Sequence, residues 1–183
     1  MARHLDNARE RIVDGFEDLL IERGDAQVSL EAVARHVGLT KGGLLYHFRS
    51  RSALVEVLIQ RYAERTDADV EQMVSAPEGA AASYLRISDY LASPLHRTTL
   101  AMSQLRSSEP RVVAALARTR DLELAALTDD VGEPLLARLT MLFAEGLAYE
   151  AITENETQPD TADVIAWFTR HVLAVYARSR RSG

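Results

Sequence analysis

The fold is decided by residues 29–54, which read SLEAVARHVGLTKGGLLYHFRSRSAL. Ser29, Thr40 and Ser50 each stand just before a short run with helical apolar spacing, and serine and threonine are favoured N-cap residues. Gly38 can adopt the left-handed backbone conformation that ends a helix. The stretch therefore predicts two short helices joined by a tight turn and followed by the start of a third helix, as in a helix-turn-helix motif.

Apolar residues recur at helical spacing in nearly all of the remaining sequence, without a sustained alternation of the kind that strands show. A first helix is expected to end at Gly24, and a long helix is expected to run from Arg51 to about Met73, before the break at residues 75–77. Further helices are predicted at about 78–92, 94–106, 109–130, 133–154 and 160–179. These elements predict an all-α fold of about nine helices, divided into an N-terminal helix-turn-helix head (1–50), a connecting fourth helix (51–76) and a larger C-terminal domain (77–183).

Charge is distributed unevenly along the chain, whose formal net charge is −6. Residues 1–65 contain ten basic and ten acidic residues, whereas residues 66–183 contain eleven and seventeen. A phosphate-binding surface requires positive charge on one face and not a positive sum, so the acidic total does not exclude nucleic acid as a partner. Cysteine is absent, which excludes disulfides and thiolate metal sites. No signal peptide or membrane-spanning run is recognisable, so a cytoplasmic protein without a membrane partner is expected.

The second helix of the motif has an unusual composition for a helix that only stabilises a fold. Gly42 and Gly43 each lower helix stability by roughly 1 kcal/mol relative to alanine in a helix interior, but they let the backbone approach a base pair or a phosphate closely. Lys41 adds a mobile positive charge, and Tyr46 and His47 carry hydrogen-bonding groups that can reach phosphate oxygens. Taken singly, each residue also fits a solvated side chain, a partly buried side chain or a simple turn. Their order makes nucleic-acid binding the better interpretation.

This motif resembles the one found in TetR-type one-component transcriptional regulators. Their signature typically contains Lys-Gly-x-Leu-Tyr-x-His-Phe followed by x-Ser-Lys-x-x-Leu, and this chain has KGGLLYHF at 41–48 and RSRSAL at 49–54. The similarity is strong over about residues 8–62. It departs from the signature at Leu45, where tyrosine is usual, and at Arg51, where lysine is usual, and arginine keeps the charge but changes the hydrogen-bond geometry.

The resemblance implies a head that binds double-stranded DNA and a C-terminal domain that binds a small-molecule effector and forms a homodimer through its last two helices. The predicted DNA-binding residues are Ser29, Thr40, Lys41, Gly42, Gly43, Leu45, Tyr46, His47 and Arg51. By analogy, four of them contact phosphates, namely Lys41, Tyr46, His47 and Arg51, whereas Thr40, Gly42, Gly43 and Leu45 face the bases or the edge of the groove. A two-fold dimer would place its recognition helices about 34 to 36 Å apart or a multiple of that, on a pseudo-palindromic operator. Repression is the expected mode of regulation.

The last two predicted helices carry apolar residues beyond a single stripe, so they have to be covered on most sides. One side can pack in the monomer core while the other contacts a second copy; a central helix within one monomer is the alternative. The predicted dimer-interface residues are Leu139, Phe143, Leu147, Ile152, Val164, Phe168, Val172 and Val175.

The effector pocket is less well defined by the sequence. Its candidate residues are the bulky or polar ones on helices that are expected to surround the C-terminal core: Tyr90, His96, Met102, Phe143, Tyr149, Trp167 and Phe168. Residues of these types at helical spacing are commonly plain core. Because no cationic cluster is present there, an apolar or amphipathic ligand is favoured over a polyanion.

Two other classes of function compete with this interpretation. The five histidines are scattered without metal-binding spacing, and neither a glycine-rich phosphate loop nor a nucleophile elbow is present in the sequence. We therefore expect no enzyme, no cofactor and no metal. A helical ligand carrier or protein-interaction adaptor with a vestigial DNA-binding head is the second alternative, because its C-terminal domain would have the same sequence character.

Overall fold

The structure, a computed structural model, describes residues 2–153 and 159–174, and every regular element within these ranges is helical. The α-helices are α1 (Ala2–Arg23), α2 (Leu30–His36), α3 (Lys41–His47), α4 (Arg51–Ser75), α5 (Ala80–Tyr84), α6 (Ile87–Leu91), α7 (Pro94–Gln104), α8 (Pro110–Val131), α9 (Pro134–Thr153) and α10 (Thr161–Phe168). A 3₁₀ turn at Asp25–Gln27 and a π-helical turn at Thr169–Leu173 complete the described elements. The all-α prediction is confirmed, with ten described α-helices where about nine were expected.

The predicted single helix at 78–92 is wrong, because the chain forms two short helices, α5 and α6, with a turn between them. Leu85 and Ile87, on either side of that turn, are both buried in one apolar cluster with Ala144 and Phe168. Residues two apart point to different sides of a continuous helix, so the chain has to turn in order to bury both in the same cluster.

The predicted last helix, at 160–179, is too long as a single α-helix. Regular α-helix ends at Phe168, and the chain continues in the wider π-helical turn, where each backbone N–H bonds to a carbonyl five residues earlier. Residues 175–183 of that prediction lie outside the described residues. No helix in the described part of the chain combines the length and the apolar character that a membrane span needs.

Helices α2, α3 and α4 begin where the sequence predicted, and side chains fix their first turns. The hydroxyls of Ser29, Thr40 and Ser50 each accept a hydrogen bond from the backbone N–H three residues later, at 3.1 to 3.2 Å. Gly38 has a φ of 71°, the left-handed conformation that lets the chain turn between α2 and α3. The helix-turn-helix geometry predicted from these residues is therefore present.

The described helices form two compact units. The first unit comprises Met1–Thr66 and Pro94–Arg118, and the second comprises Asp67–Ser93 and Thr119–Gly183. Helix α7 and the start of α8 therefore pack with the helix-turn-helix segment, although they follow it by about forty residues in the sequence. The predicted division into a DNA-binding head, a connecting helix and a C-terminal domain, at residues 50 and 76, is a division by function, and it stays a prediction.

Apolar residues of α1, α3 and α4 fill the core of the first unit. Phe16, Leu44 and Leu58 are completely buried there. Helix α1 also approaches α2 closely at Gly15, where an added Cβ would lie 2.4 Å from Cγ1 of Val37. Because this distance is shorter than any normal contact, only glycine allows α1 and α2 to pack at this separation.

A buried carboxylate, Glu17, joins three helices of the first unit. Its side chain is 1% exposed, and it lies between the guanidinium groups of Arg61 and Arg65 on α4 and of Arg97 on α7, at N···O distances of 3.1 to 3.6 Å. The hydroxyl of Thr98 donates a further hydrogen bond to Glu17 Oε1 at 2.9 Å. A buried charge needs such partners because burial removes its hydration. Glu17 thus holds α1, α4 and α7 together.

The core of the second unit is built mainly from α8, α9 and the short helix α5. Leu127, Ala137 and Met141 are completely buried and pack with Ala81 in one cluster. A carboxylate oxygen of Asp130 accepts a hydrogen bond from the backbone N–H of Ala81 at 2.8 Å and thereby satisfies the first turn of α5. Helices α5 and α8 are in this way joined by a polar contact as well as by apolar packing.

Candidate nucleic-acid interface

Helix α3 presents one side to the core of the first unit and the other to solvent. Leu44 and the C-cap residue Phe48 are buried and hold the helix in place. On the outer side, Lys41 and Gly42 are exposed and 75% of Tyr46 is accessible. A Cβ built on Gly42 would meet no atom within 4 Å, so the backbone at this position is open to close approach.

The other predicted DNA-binding residues of the motif lie at the helix starts or along its flank. Ser29 and Thr40 are exposed but use their hydroxyls as N-caps. Leu45 and His47 are half-buried, and the His47 ring meets Tyr46 edge-on with ring centroids 5.2 Å apart. A Cβ on Gly43 would lie 3.3 Å from the Thr40 hydroxyl. The absence of a side chain at this position therefore leaves room for the hydroxyl that caps α3. Contacts of these residues with DNA remain predictions.

Lys41 is paired with a carboxylate that the sequence reasoning did not single out. Its Nζ atom donates a hydrogen bond to Glu31 Oε1 on α2 at 2.6 Å. The Lys41 ammonium, and to a smaller extent Arg35, lowers the pKa of the Glu31 carboxyl. Glu31 could have been noticed because it is the only acidic residue in 29–54.

Arg51, the other cation predicted to bind phosphate, is turned toward partners within the first unit. Its guanidinium forms an ion pair with Asp25, donates from Nε to the carbonyl of Val28 at 3.3 Å, and lies 3.9 Å from Glu109. These contacts tie the start of α4 to the segment before α2 and to the loop before α8. They give Arg51 a structural role in the free protein, and its phosphate contact remains a prediction.

The seven predicted effector residues belong to both compact units. They divide into His96 and Met102 in the first unit and Tyr90, Phe143, Tyr149, Trp167 and Phe168 in the second. His96 is buried, and burial lowers its pKa. Phe143 and Phe168 stack with ring centroids 4.2 Å apart inside an apolar cluster, whereas Tyr149 and Trp167 are largely exposed. The stacked pair has the surroundings of core residues, and a pocket role for the set stays a prediction.

The residues predicted for the dimer interface differ in their exposure. Leu139, Ile152 and Val164 are exposed, whereas Phe143, Leu147, Val172 and Phe168 pack against the cluster around Leu85 and Ile87; Val175 lies outside the described residues. The structure adds further exposed apolar side chains that the prediction left out, namely Leu135, Leu142, Tyr149 and Trp167. Leu135, Leu139 and Leu142 follow one another at spacings of four and three, so they share one side of α9.

A group of half-buried polar side chains in the second unit was also missed. The Tyr84 hydroxyl lies 3.3 Å from a carboxylate oxygen of Glu123. Burial, together with the charges of Asp69 and Glu145, raises the pKa of Glu123 to about 7, against smaller opposing effects of Tyr84 and Arg120. Burial likewise raises the pKa of Asp69. Sequence offers no direct signal for this group, because its members come from four different helices.

The comparison with known proteins agrees with the geometry of the head. Residues 12–58 match the family model described as bacterial regulatory proteins, tetR family. This segment contains α2, α3 and the start of α4, together with the part of α1 that packs against them. No significant match to a curated protein was found.

Several solved structures share the fold along most of both chains. The multidrug binding protein EbrR in complex with malachite green has a TM-score of 0.67 at 21% identity and covers 88% of this chain and 96% of its own. NalD of Pseudomonas aeruginosa, the secondary repressor of the MexAB-OprM multidrug efflux pump, has a TM-score of 0.64 at 18% identity, with coverages of 90% and 95%. A TetR-family member from Streptomyces coelicolor A3, SCO1917, has a TM-score of 0.63 at 21% identity, with coverages of 86% and 95%. Residues 12–58 therefore match the helix-turn-helix segment of the tetR family, and they do so within an all-α fold that these solved structures share.

Proposed function

We propose that this protein is an effector-responsive transcriptional regulator. It binds a pseudo-palindromic DNA operator as a homodimer, represses transcription there, and is released by a small apolar or amphipathic ligand. The observation that carries the proposal is the exposed side of α3, where Lys41, Tyr46 and the open backbone at Gly42 lie within the segment that matches the tetR family. A short helix held by buried anchors and exposed on its other side is suited to the major groove.

DNA binding is tested best at Lys41. We expect Lys41→Ala to weaken binding to duplex DNA from upstream of the protein's own gene by about three- to tenfold at 0.1 M salt, because one phosphate contact is lost. The slope of log K against log salt should flatten by about 0.9 for the same reason. Fluorescence anisotropy over a series of salt concentrations measures both quantities.

The matched control is Arg86→Ala, which removes one exposed cation from the second unit, where it pairs with Glu78 and Asp89. This variant should keep the affinity and the slope of the wild type. If Lys41→Ala behaves like Arg86→Ala, α3 does not bind the phosphates as proposed. If the wild type shows no preference for any duplex, the ligand-carrier or adaptor interpretation gains support.

The homodimer is proposed from the exposed apolar side of the last helices. Leu135, Leu139 and Leu142 on α9 and Trp167 on α10 are each about half exposed or more in the isolated chain. Apolar side chains that are exposed together on one side of a helix mark an interaction surface. A second copy of the same chain is the proposed partner, because the motif in residues 41–54 resembles that of regulators that form homodimers through their last two helices.

The dimer is tested by placing a charge on that surface. We expect Leu139→Glu to give a monomer, because burying an unpaired carboxylate between two copies costs several kcal/mol. Light scattering coupled to size-exclusion chromatography gives the mass. Val74→Glu introduces the same charge at another exposed apolar residue and should leave the dimer intact. A Leu139→Glu protein that remains dimeric would move the interface to another surface.

The proposed effector is supported by what is known of similar structures. EbrR is described as a multidrug binding protein and was solved with malachite green, and NalD is described as the repressor of a multidrug efflux pump. Both share the fold with this chain along most of its length. Repression that is relieved by a small molecule is therefore the form of regulation that we propose for this chain.

A further inference from the structure

Lys41 is the only lysine in a chain that otherwise uses arginine, since the remaining 20 of its 21 basic residues are arginines. It occupies the first position of α3, and its ammonium is held by Glu31, the only acidic residue in 29–54. Both side chains are more than half exposed, so the pair is accessible to a competing anion. The single lysine and the single carboxylate of the motif are thus paired with each other on its surface.

The pair has a direct electrostatic consequence for an approaching phosphate. The Lys41 ammonium and the Glu31 carboxylate lie only 2.6 Å apart, so their opposite charges nearly cancel for a phosphate that is much further away. The pair therefore attracts a distant phosphate hardly more than an uncharged group would. Because Lys41 lowers the pKa of Glu31, the carboxylate remains ionised throughout the pH range in which DNA is bound. Only a phosphate that directly contacts the ammonium can take the place of the carboxylate.

We propose that Glu31 withholds Lys41 from non-specific DNA and releases it only to a phosphate of a closely docked operator, which makes Glu31 a specificity-determining residue. The inference rests on the proposed function, because it assigns a role to Glu31 within the same DNA-binding surface.

Non-specific and operator complexes differ in the interactions that hold them together, and this difference is the reason for the proposed role of Glu31. Non-specific binding is almost entirely electrostatic, so each cation that is held by a carboxylate subtracts from it. A specific complex adds contacts with bases and fixes the register of the phosphates. Exposed ion pairs contribute little to stability, so a phosphate that is held in direct contact can displace Glu31. A phosphate that stays separated from the protein by water cannot.

The test compares the wild type with Glu31→Gln on two duplexes: the operator, and a duplex of equal length with scrambled sequence. On scrambled DNA we expect Glu31→Gln to bind about three- to tenfold more tightly at 0.1 M salt, with a slope of log K against log salt that is steeper by about 0.9. On the operator the slope should not change, because Lys41 contacts a phosphate in both proteins. The ratio of operator to scrambled affinity should therefore fall in Glu31→Gln.

A double-mutant cycle separates this mechanism from simple repulsion between Glu31 and the DNA. On a Lys41→Ala background, Glu31→Gln should no longer steepen the slope on scrambled DNA, because no ammonium is left to release. Persistence of the full effect on that background would overturn the proposal in favour of repulsion. Glu22→Gln, which removes another exposed carboxylate of the first unit, is the control for net charge and should change the scrambled-DNA slope little.

A measurement without DNA tests the pair itself. We expect Lys41 to react at least about twofold faster with an acylating reagent in Glu31→Gln than in the wild type, because a carboxylate-bound ammonium is withdrawn from acylation. Mass spectrometry of the peptide that carries Lys41 gives the rate. If the wild type prefers its operator but Glu31→Gln and the wild type show equal acylation rates, or equal slopes on scrambled DNA, only the role of Glu31 is overturned. A wild type without any operator preference would instead overturn the proposed function.

Discussion

Glu17→Ala is expected to lower the free energy of unfolding by about 3 to 5 kcal/mol, the cost of removing one partner from a buried ion-pair network. In the native protein the Glu17 carboxylate, 1% exposed, lies between Arg61, Arg65 and Arg97. Without it, Arg61 keeps Asp14 and Arg97 keeps Asp18, but Arg65 loses the carboxylate that it pairs with, and the space that this carboxylate had filled is left empty. Arg65 would keep Thr98 and the carbonyl of Pro94 as partners, but no charge in that space would balance it.

Urea unfolding followed by circular dichroism, at one fixed protein concentration, measures this loss. Glu17→Gln keeps the shape and the hydrogen-bonding oxygen and should cost less than Glu17→Ala. Glu10→Ala is the matched control, because Glu10 binds the same Arg61 but is 65% exposed, and it should cost at most about 1 kcal/mol. A Glu17→Ala protein as stable as Glu10→Ala would mean that the arginines find new partners, and the proposed junction between α1, α4 and α7 would be wrong.

The local features of this fold were accessible from the sequence because their causes are local. An N-cap acts within three residues, so Ser29, Thr40 and Ser50 could be recognised from the few residues next to them. A left-handed glycine such as Gly38 needs no distant partner either. The boundaries of α2 and α3 and the all-α class result from such signals.

Features that depend on distant partners could not be predicted in this way. Glu17 looks like one more polar residue of an amphipathic helix until the fold brings Arg65 and Arg97 to it, 48 and 80 residues further along the chain. The turn between α5 and α6 likewise depends on a cluster to which α9 and α10 contribute. Periodicity along the chain does not contain this information.

The candidate site shows the same division. The exposure of Lys41 and Tyr46 and the burial of Leu44 follow from helical spacing, which sequence alone reveals. The ionic partners of Lys41 and Arg51 do not follow from helical spacing, because the same sequence would also allow both side chains to be solvated. In the structure Lys41 is held by Glu31 across the motif, whereas Arg51 is turned toward Asp25. The two predicted phosphate-binding cations are therefore expected to contribute differently to DNA binding.

Glu123→Gln is expected to change the pH dependence of stability in the second unit. In the unfolded chain a glutamate releases its proton near its ordinary pKa of 4.5, whereas in the folded protein burial, with the nearby charges of Asp69 and Glu145, raises the pKa of Glu123 to about 7. Between these values the folded state holds a proton that the unfolded state has released. The stabilising contribution of this proton is complete below about pH 4.5 and is lost as the pH rises to about 7.

The resulting change is on the order of 3 kcal/mol between pH 4.5 and pH 7.5, since each unit of pKa corresponds to about 1.4 kcal/mol. Glutamine stays neutral at every pH and can still accept the hydrogen bond from Tyr84, so the variant should gain stability over the wild type as the pH rises through this range. Trp167, the only tryptophan, belongs to the second unit, and its fluorescence during urea unfolding at a series of pH values reports the effect. Asp129→Asn, which removes an exposed carboxyl from the same helix α8, should stay parallel to the wild type. A Glu123→Gln protein whose stability also stays parallel to the wild type would show that Glu123 is ionised in the folded state at neutral pH, with a cation or solvent in contact with it.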